Sequence, residues 1–226
     1  MISHKYKCIF IHIPKCAGTS IEIALGHHDN SFGRIEQDHR SIRMIEKPLL
    51  SSNIFSSKEN VVEILRRIHY RFSIHMNPCN KFYVTKEQYA SYFKFAFIRN
   101  PWSRAYSWYK NVMRDENHKR YLKITQQLSL NEFLKLYRAK GALRPQTCWI
   151  KNFSGSIPVD FIGRFENLNK DFEEACKLMN ITPILLPHET KGEATDYREE
   201  YDKESISIIR ESYRKEIEIF NYSFEL

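Results

Sequence analysis

An α/β fold, with a small parallel sheet flanked by helices, is predicted here by three observations. Short apolar runs with the character of buried strands recur at "KCIFIHI" (7–13), "FKFAFI" (93–98) and "VDFIGRF" (159–165). A helical pattern follows each run, the order that parallel strands with crossover connections require. No segment repeats and none is of low complexity.

Taken in order, "GTSIEIALG" (18–26) places Ile21, Ala24 and Leu25 at helical spacing and stops at Gly26. Residues 27–40 are polar and irregular, and "SIRMIEK" predicts a short helix ended by Pro48. "SKENVVEILRRIHYRF" (57–72) is amphipathic with an Arg-rich last turn. After the second strand, Asn100 is a good N-cap and Pro101 suits the first helical position. "SLNEFLKLYRAK" (129–140) is a helix closed by Gly141, and Asn167 is the expected cap of the helix that follows the third strand. "DKESISIIRESYRKEIEIFN" (202–221) predicts one closing helix of roughly five turns.

The 226 residues suffice for a single domain, 1–226, with no Gly- or Ser-rich linker. A net charge of +8, spread through the chain, favours anionic partners. Five scattered cysteines without a C-x-x-C pair argue against a disulfide framework or a metal site and fit reduced thiols. The apolar stretch at the start is too short for a signal peptide or a membrane span, so a cytoplasmic protein without a transmembrane segment is expected, from a bacterial source.

The densest chemical signal is "FIHIPKCAGTS" (10–20), a loop between a strand and a helix. In the pattern G-x-x-x-x-G-K-[ST] the lysine directly precedes the hydroxyl residue. Here Lys15 comes three residues before Gly18, with Thr19 and Ser20 behind it. Backbone amides, two hydroxyls and one ammonium still make a phosphate-type anion site, and the fold is P-loop-like. A magnesium nucleotide site calls for a carboxylate at a neighbouring strand end, where this chain has Arg99, and Arg164 ahead of Glu166. A cysteine phosphatase built on Cys16 needs an arginine six residues on, where Glu22 stands. Sulfuryl transfer from 3′-phosphoadenosine 5′-phosphosulfate needs no metal and two separate anion cradles. "RNPWSRAYS" offers the second cradle, with Arg99 at the strand end and Ser107 one turn beyond Ser103.

"IFIHIPKCAGTSIE" together with "FKFAFIRNPWSRAYSWY" resembles the two nucleotide-binding motifs of the sulfotransferase family, its carbohydrate-type (family 2-like) branch in particular. "VDFIGRFENLNKDFEEAC", "LPHETKG" and the closing "YDKESISIIRESYRKEIEIFNYSF" resemble that branch as well. The resemblance implies a three-layer fold and an enzyme that sulfates a hydroxyl of a carbohydrate or glycan-like acceptor, with no nucleic acid involved. It implies that Lys15 contacts the bridging and sulfonate oxygens of the donor, and that the amides of Cys16, Ala17, Gly18, Thr19 and Ser20 form the 5′ cradle. Arg99 and Ser107 are then expected at the 3′-phosphate, with Lys191 and Gly192 as further nucleotide contacts. His39 is the expected general base, with His188 as runner-up and Asp38 or Glu36 as carboxylate substitutes. Segments 27–60 and 114–146 are expected to line the acceptor site, with Arg34, Arg40, Arg43, Arg114, Lys119, Arg120 and Arg144 as candidate contacts. Two other classes stay open: a kinase-like phosphotransferase on the same scaffold, and a basic nucleic-acid-binding module.

Overall fold

A computed structural model describes residues 1–28, 36–47, 52–187 and 196–225. In chain order its regular elements begin with β1 (Ile2–Ser3), β2 (Cys8–Ile11), α1 (Gly18–Ala24), α2 (Ile42–Ile45), α3 (Lys58–Phe72) and α4 (Lys86–Ser91). They continue with β3 (Phe93–Ile98), α5 (Pro101–Arg114), α6 (Glu116–Leu122), α7 (Leu130–Tyr137) and α8 (Thr147–Ile150). The last are β4 (Phe161–Arg164), α9 (Leu168–Leu178), α10 (Lys203–Ser212) and α11 (Arg214–Phe220). Two compact units result, one from Met1–Ile98 with Thr147–Glu189 and one from Arg99–Gln146 with Thr190–Leu226. No helix among the described residues is long and apolar enough to cross a membrane.

The first unit holds the sheet, in the order β1-β2-β3-β4. β2 pairs with β3 in parallel, Phe10 opposite Phe95, and β3 pairs with β4 in parallel, Ile98 opposite Arg164. The three apolar runs are therefore the three parallel strands. β2 is buried along its whole length, and all of β3 after Phe93 is buried too, as strands covered on both faces must be. Gly163 lets β4 approach its neighbour, since a Cβ there would lie 2.5 Å from the Phe97 ring. β1 adds an antiparallel edge of two residues, with Ile2 opposite Ile9.

The second unit is helical, packed around Trp102, Ala105, Phe133, Leu134, Ile209 and Tyr213. Its first helix starts as the sequence predicts: the Asn100 side chain accepts from the amides of Trp102 and Ser103, and Pro101 stands at the first position. The closing stretch differs from expectation. It forms two helices, α10 and α11, broken at Tyr213 (φ −118°, ψ 19°), instead of one helix of five turns. The Tyr213 hydroxyl donates to the Leu143 carbonyl at 2.6 Å and accepts from the Ala139 amide at 3.0 Å. Anchoring that buried ring outweighs helix continuity. Asn167 stands at the expected N-cap of α9 but makes no side-chain cap; Asp171 instead accepts from the Arg164 amide at 2.7 Å.

Candidate active site

The loop after β2 carries two non-glycine residues in the left-handed region, Lys15 (φ 68°) and Ala17 (φ 61°). Each costs roughly 1–3 kcal/mol, held in place by the surrounding structure. The Cys16 amide closes the turn onto the Ile13 carbonyl at 3.3 Å, and its thiol is buried against the Pro14 carbonyl. Ala17 is the N-cap of α1 and supplies no side-chain cap to the first-turn amides, which have no partner within the helix. Thr19 is half-buried and Ser20 is buried beside them.

Gly18 is fixed by a neighbour, not by its φ. A Cβ at residue 18 would fall 1.9 Å from Cδ2 of His12. His12, the residue after β2, organises the underside of the loop. His12 Nδ1 meets Glu22 Oε1 at 2.9 Å, and His28 Nε2 meets Glu22 Oε2 at 2.5 Å. The Asp38 amide donates to the same carboxylate at 3.2 Å. Burial alone would raise the Glu22 carboxyl, but His12 and His28 outweigh it and hold the group below the ordinary carboxylate range.

His39 sits on this cluster, its ring centroid 4.2 Å from that of His12 and 6.1 Å from the Trp149 ring. Burial, reinforced by the neighbouring His12, lowers its pKa to about 3, so the imidazole is neutral. Nδ1 lies 3.1 Å from the His12 carbonyl, and Nε2 lies 2.9 Å from Gln37 Oε1. A neutral ring carries one proton and cannot serve two acceptors. The arrangement is satisfied when Nδ1–H donates to the carbonyl and Gln37 turns its NH₂ toward Nε2. So turned, the Gln37 oxygen takes the place of Gln37 Nε2, which in the structure donates to Thr19 Oγ1 at 2.5 Å, and accepts from that hydroxyl instead. With the amide so turned, His39 Nε2 is the unprotonated nitrogen, one amide side chain from a loop hydroxyl.

The carboxylates named as alternative bases are committed elsewhere. Asp38 is fully buried in an ion pair with Arg40, which also donates to the Phe82 carbonyl. Glu36 accepts from His75 at 2.9 Å and from the Asn77 amide. Arg40 is 2% exposed, and Arg43, at 3%, directs Nε to the Asn152 carbonyl. Both point inward, so they do not line an acceptor surface as expected. Arg114 and Arg120 are exposed, Arg144 is half-buried and Lys119 pairs with Glu116.

In the helical unit, the Arg99 backbone is clamped by Gln146, whose Oε1 accepts from the Arg99 amide and whose Nε2 donates to its carbonyl, both at 2.8 Å. Arg99 Nε donates to Ser103 Oγ at 2.9 Å, one turn before the half-buried Ser107. Arg34, His188, Lys191 and Gly192 lie outside the described residues.

A loop of amides and hydroxyls between a parallel strand and a helix, with a neutral imidazole beside it, suits group transfer from an anionic donor. The model of the Sulfotransferase family matches residues 1–223. The chain belongs to the sulfotransferase family. This sulfotransferase is also 35% identical over 105 residues to an uncharacterized protein of Archaeoglobus fulgidus, a match covering 45% of the present chain and 79% of the relative. No solved structure matches it significantly. Of the residues gathered around the loop, Lys15 and Thr19 are legible as motif members and His39 only through the family resemblance. The signal for Glu22, His12 and Gln37 was weaker: a helix-borne carboxylate and two flanking polar residues with no motif of their own.

Proposed function

We propose that this sulfotransferase transfers a sulfuryl group from 3′-phosphoadenosine 5′-phosphosulfate to a hydroxyl of a carbohydrate or glycan-like acceptor, with 1–226 acting as one catalytic domain. The observation that supports this reading is the His39 imidazole beside the loop, held neutral by burial, with Nδ1 3.1 Å from the His12 carbonyl. The loop suits the donor chemically. It offers amides, the Thr19 and Ser20 hydroxyls and the Lys15 ammonium, while the nearby Glu22 carboxylate is taken up by His12 and His28.

When bound, the nucleotide supplies an activated sulfuryl group. Lys15 and the amides of Cys16, Ala17, Gly18, Thr19 and Ser20 would hold its 5′ end, and Arg99 with Ser107 its 3′-phosphate, joined by Lys191 and Gly192. His39 Nε2 takes the proton of the acceptor hydroxyl, which displaces the Gln37 amide from that nitrogen. Lys15 balances the charge left on the departing phosphate. A reducing, cytoplasmic setting is part of this reading, supported by five free cysteines. Burial pushes the Cys8 thiol up to about 12, which keeps it inert.

Calorimetric titration tests the assignment. Adenosine 3′,5′-bisphosphate is expected to bind more tightly than ATP with magnesium, and Arg99→Ala to weaken it by about 30- to 100-fold through loss of a charge-assisted contact. Sulfuryl transfer to a glycan acceptor should persist in chelator. Equal or tighter binding of magnesium ATP would overturn the reading in favour of a phosphotransferase.

A further inference from the structure

Helix α3 buries its polar side and exposes its apolar one. Asn60 is 2% exposed and donates to the Phe153 carbonyl at 3.0 Å, while Glu63 is fully buried and accepts from Ser41 and Arg66. On the opposite side Val61, Leu65, Ile68 and Phe72 follow at intervals of four, three and four residues. Leu65 is 60% exposed, Phe72 84%, and just past the helix Ile74 is 95% and Met76 76%. Burying that row within the unit would have been the ordinary outcome for an amphipathic helix.

We propose that this face pairs with the same face of a second copy of the chain, the two α3 helices antiparallel about a two-fold axis. Val61 then meets the partner's Phe72, and Leu65 meets the partner's Ile68. The spacing is that of the a and d positions of a coiled-coil seam over two heptads, and it is self-complementary when one helix is reversed. The exposed side chains present on the order of 100 Å² each. Together the six reach about 600 Å², the upper end of what a monomer ordinarily leaves bare and the larger part of the 800 Å² or so per partner of a standard interface.

Charge argues for a second copy over an anionic lipid surface, which draws helices bordered by free cations. The two central α3 arginines turn away from the row, Arg66 to Glu63 at 2.8 Å and to the His39 carbonyl, Arg67 to the carbonyls of Arg43 and Glu46, while Lys58 at the helix start is exposed beside the acidic Glu59. Arg71 lies over the Tyr83 ring at 4.5 Å, and at the other end Glu59 is exposed. In the antiparallel register residue 71 falls opposite the partner's Val62, and Arg66 and Arg67, which fall level with each other across the pair, are directed away from the seam. This interface is independent of the reaction proposed above.

Sedimentation equilibrium of the full chain from about 1 to about 100 µM tests it. A dimer is expected, tightened by added salt because two chains of net charge +8 repel. Leu65→Glu and Ile68→Lys should each weaken association at least about 100-fold, through a charge buried without a partner. The double variant Leu65→Glu/Ile68→Lys should restore the dimer, since position 65 of one copy faces position 68 of the other. At dilutions where all chains are monomers, these variants should melt with the parent. A monomer throughout the range, single variants that dimerise normally, a double variant that stays monomeric, or a lowered melting temperature of the dilute variants would overturn the proposal. So would co-sedimentation of the monomer with phosphatidylserine vesicles that Leu65→Glu abolishes.

Discussion

His39→Gln is expected to lower kcat by about 10³-fold, within the range general-base catalysis supplies. The dissociation constant for adenosine 3′,5′-bisphosphate should change less than about twofold, because the role proposed for His39 is at the acceptor proton and not the nucleotide. Glutamine can keep a hydrogen bond to the His12 carbonyl but cannot accept and hold a proton. The pH profile adds a second reading. Burial and the neighbouring His12 bring the pKa down to about 3 from the ordinary 6.5, so the active neutral form persists well into acid. Between pH 5 and 8, kcat/KM should show no acid limb near 6.5 assignable to this group. A His39→Gln enzyme that turns over normally would move the base elsewhere.

Glu22→Ala should destabilise the protein by about 3–5 kcal/mol at neutral pH, read by urea unfolding. The carboxylate is 0% exposed and accepts from His12, His28 and the Asp38 amide, so its removal strands three buried donors at once. The pH dependence has a definite sign. The folded-state pKa of Glu22 lies below 4.5, so its contribution is present above about 4.5 and is lost as pH falls below that value. His39, also depressed, contributes stability above about 6.5 that is lost progressively as pH falls toward about 3. Unfolding free energy should therefore decline on acidification from about pH 6.5, and Glu22→Ala should flatten the lower part of that decline. A loss under about 1 kcal/mol would show that the cluster is not what holds the loop.

Local signals in the sequence translated directly into structure. Three apolar runs became three parallel strands, and Asn100–Pro101, Ser57 and Ser129 start helices as their capping chemistry dictates. The misses are all tertiary. Tyr213 breaks the last helix because its hydroxyl has partners at residues 139 and 143, which no window around residue 213 contains. β1 is two residues long and carries no periodicity. Arg40 and Arg43 read as surface cations because arginine usually is one, yet Asp38 and the Asn152 carbonyl draw them inward. His39 was legible only through resemblance, while the side chains that set its tautomer, His12 and Gln37, come together only once β2 and the segment after α1 are in place.

The placement of "FKFAFI" bears on how the protein fails. This hexapeptide of alternating phenylalanines is the kind of segment that stacks into cross-β fibrils. In the native sheet it is β3, an inner strand with both ladders occupied, while the outer strands are the buried, two-residue β1 and the four-residue β4, both short for templating added strands. Aggregation is thereby gated by global opening of the sheet, and colloidal lifetime tracks the rate of that opening more than the make-up of the surface.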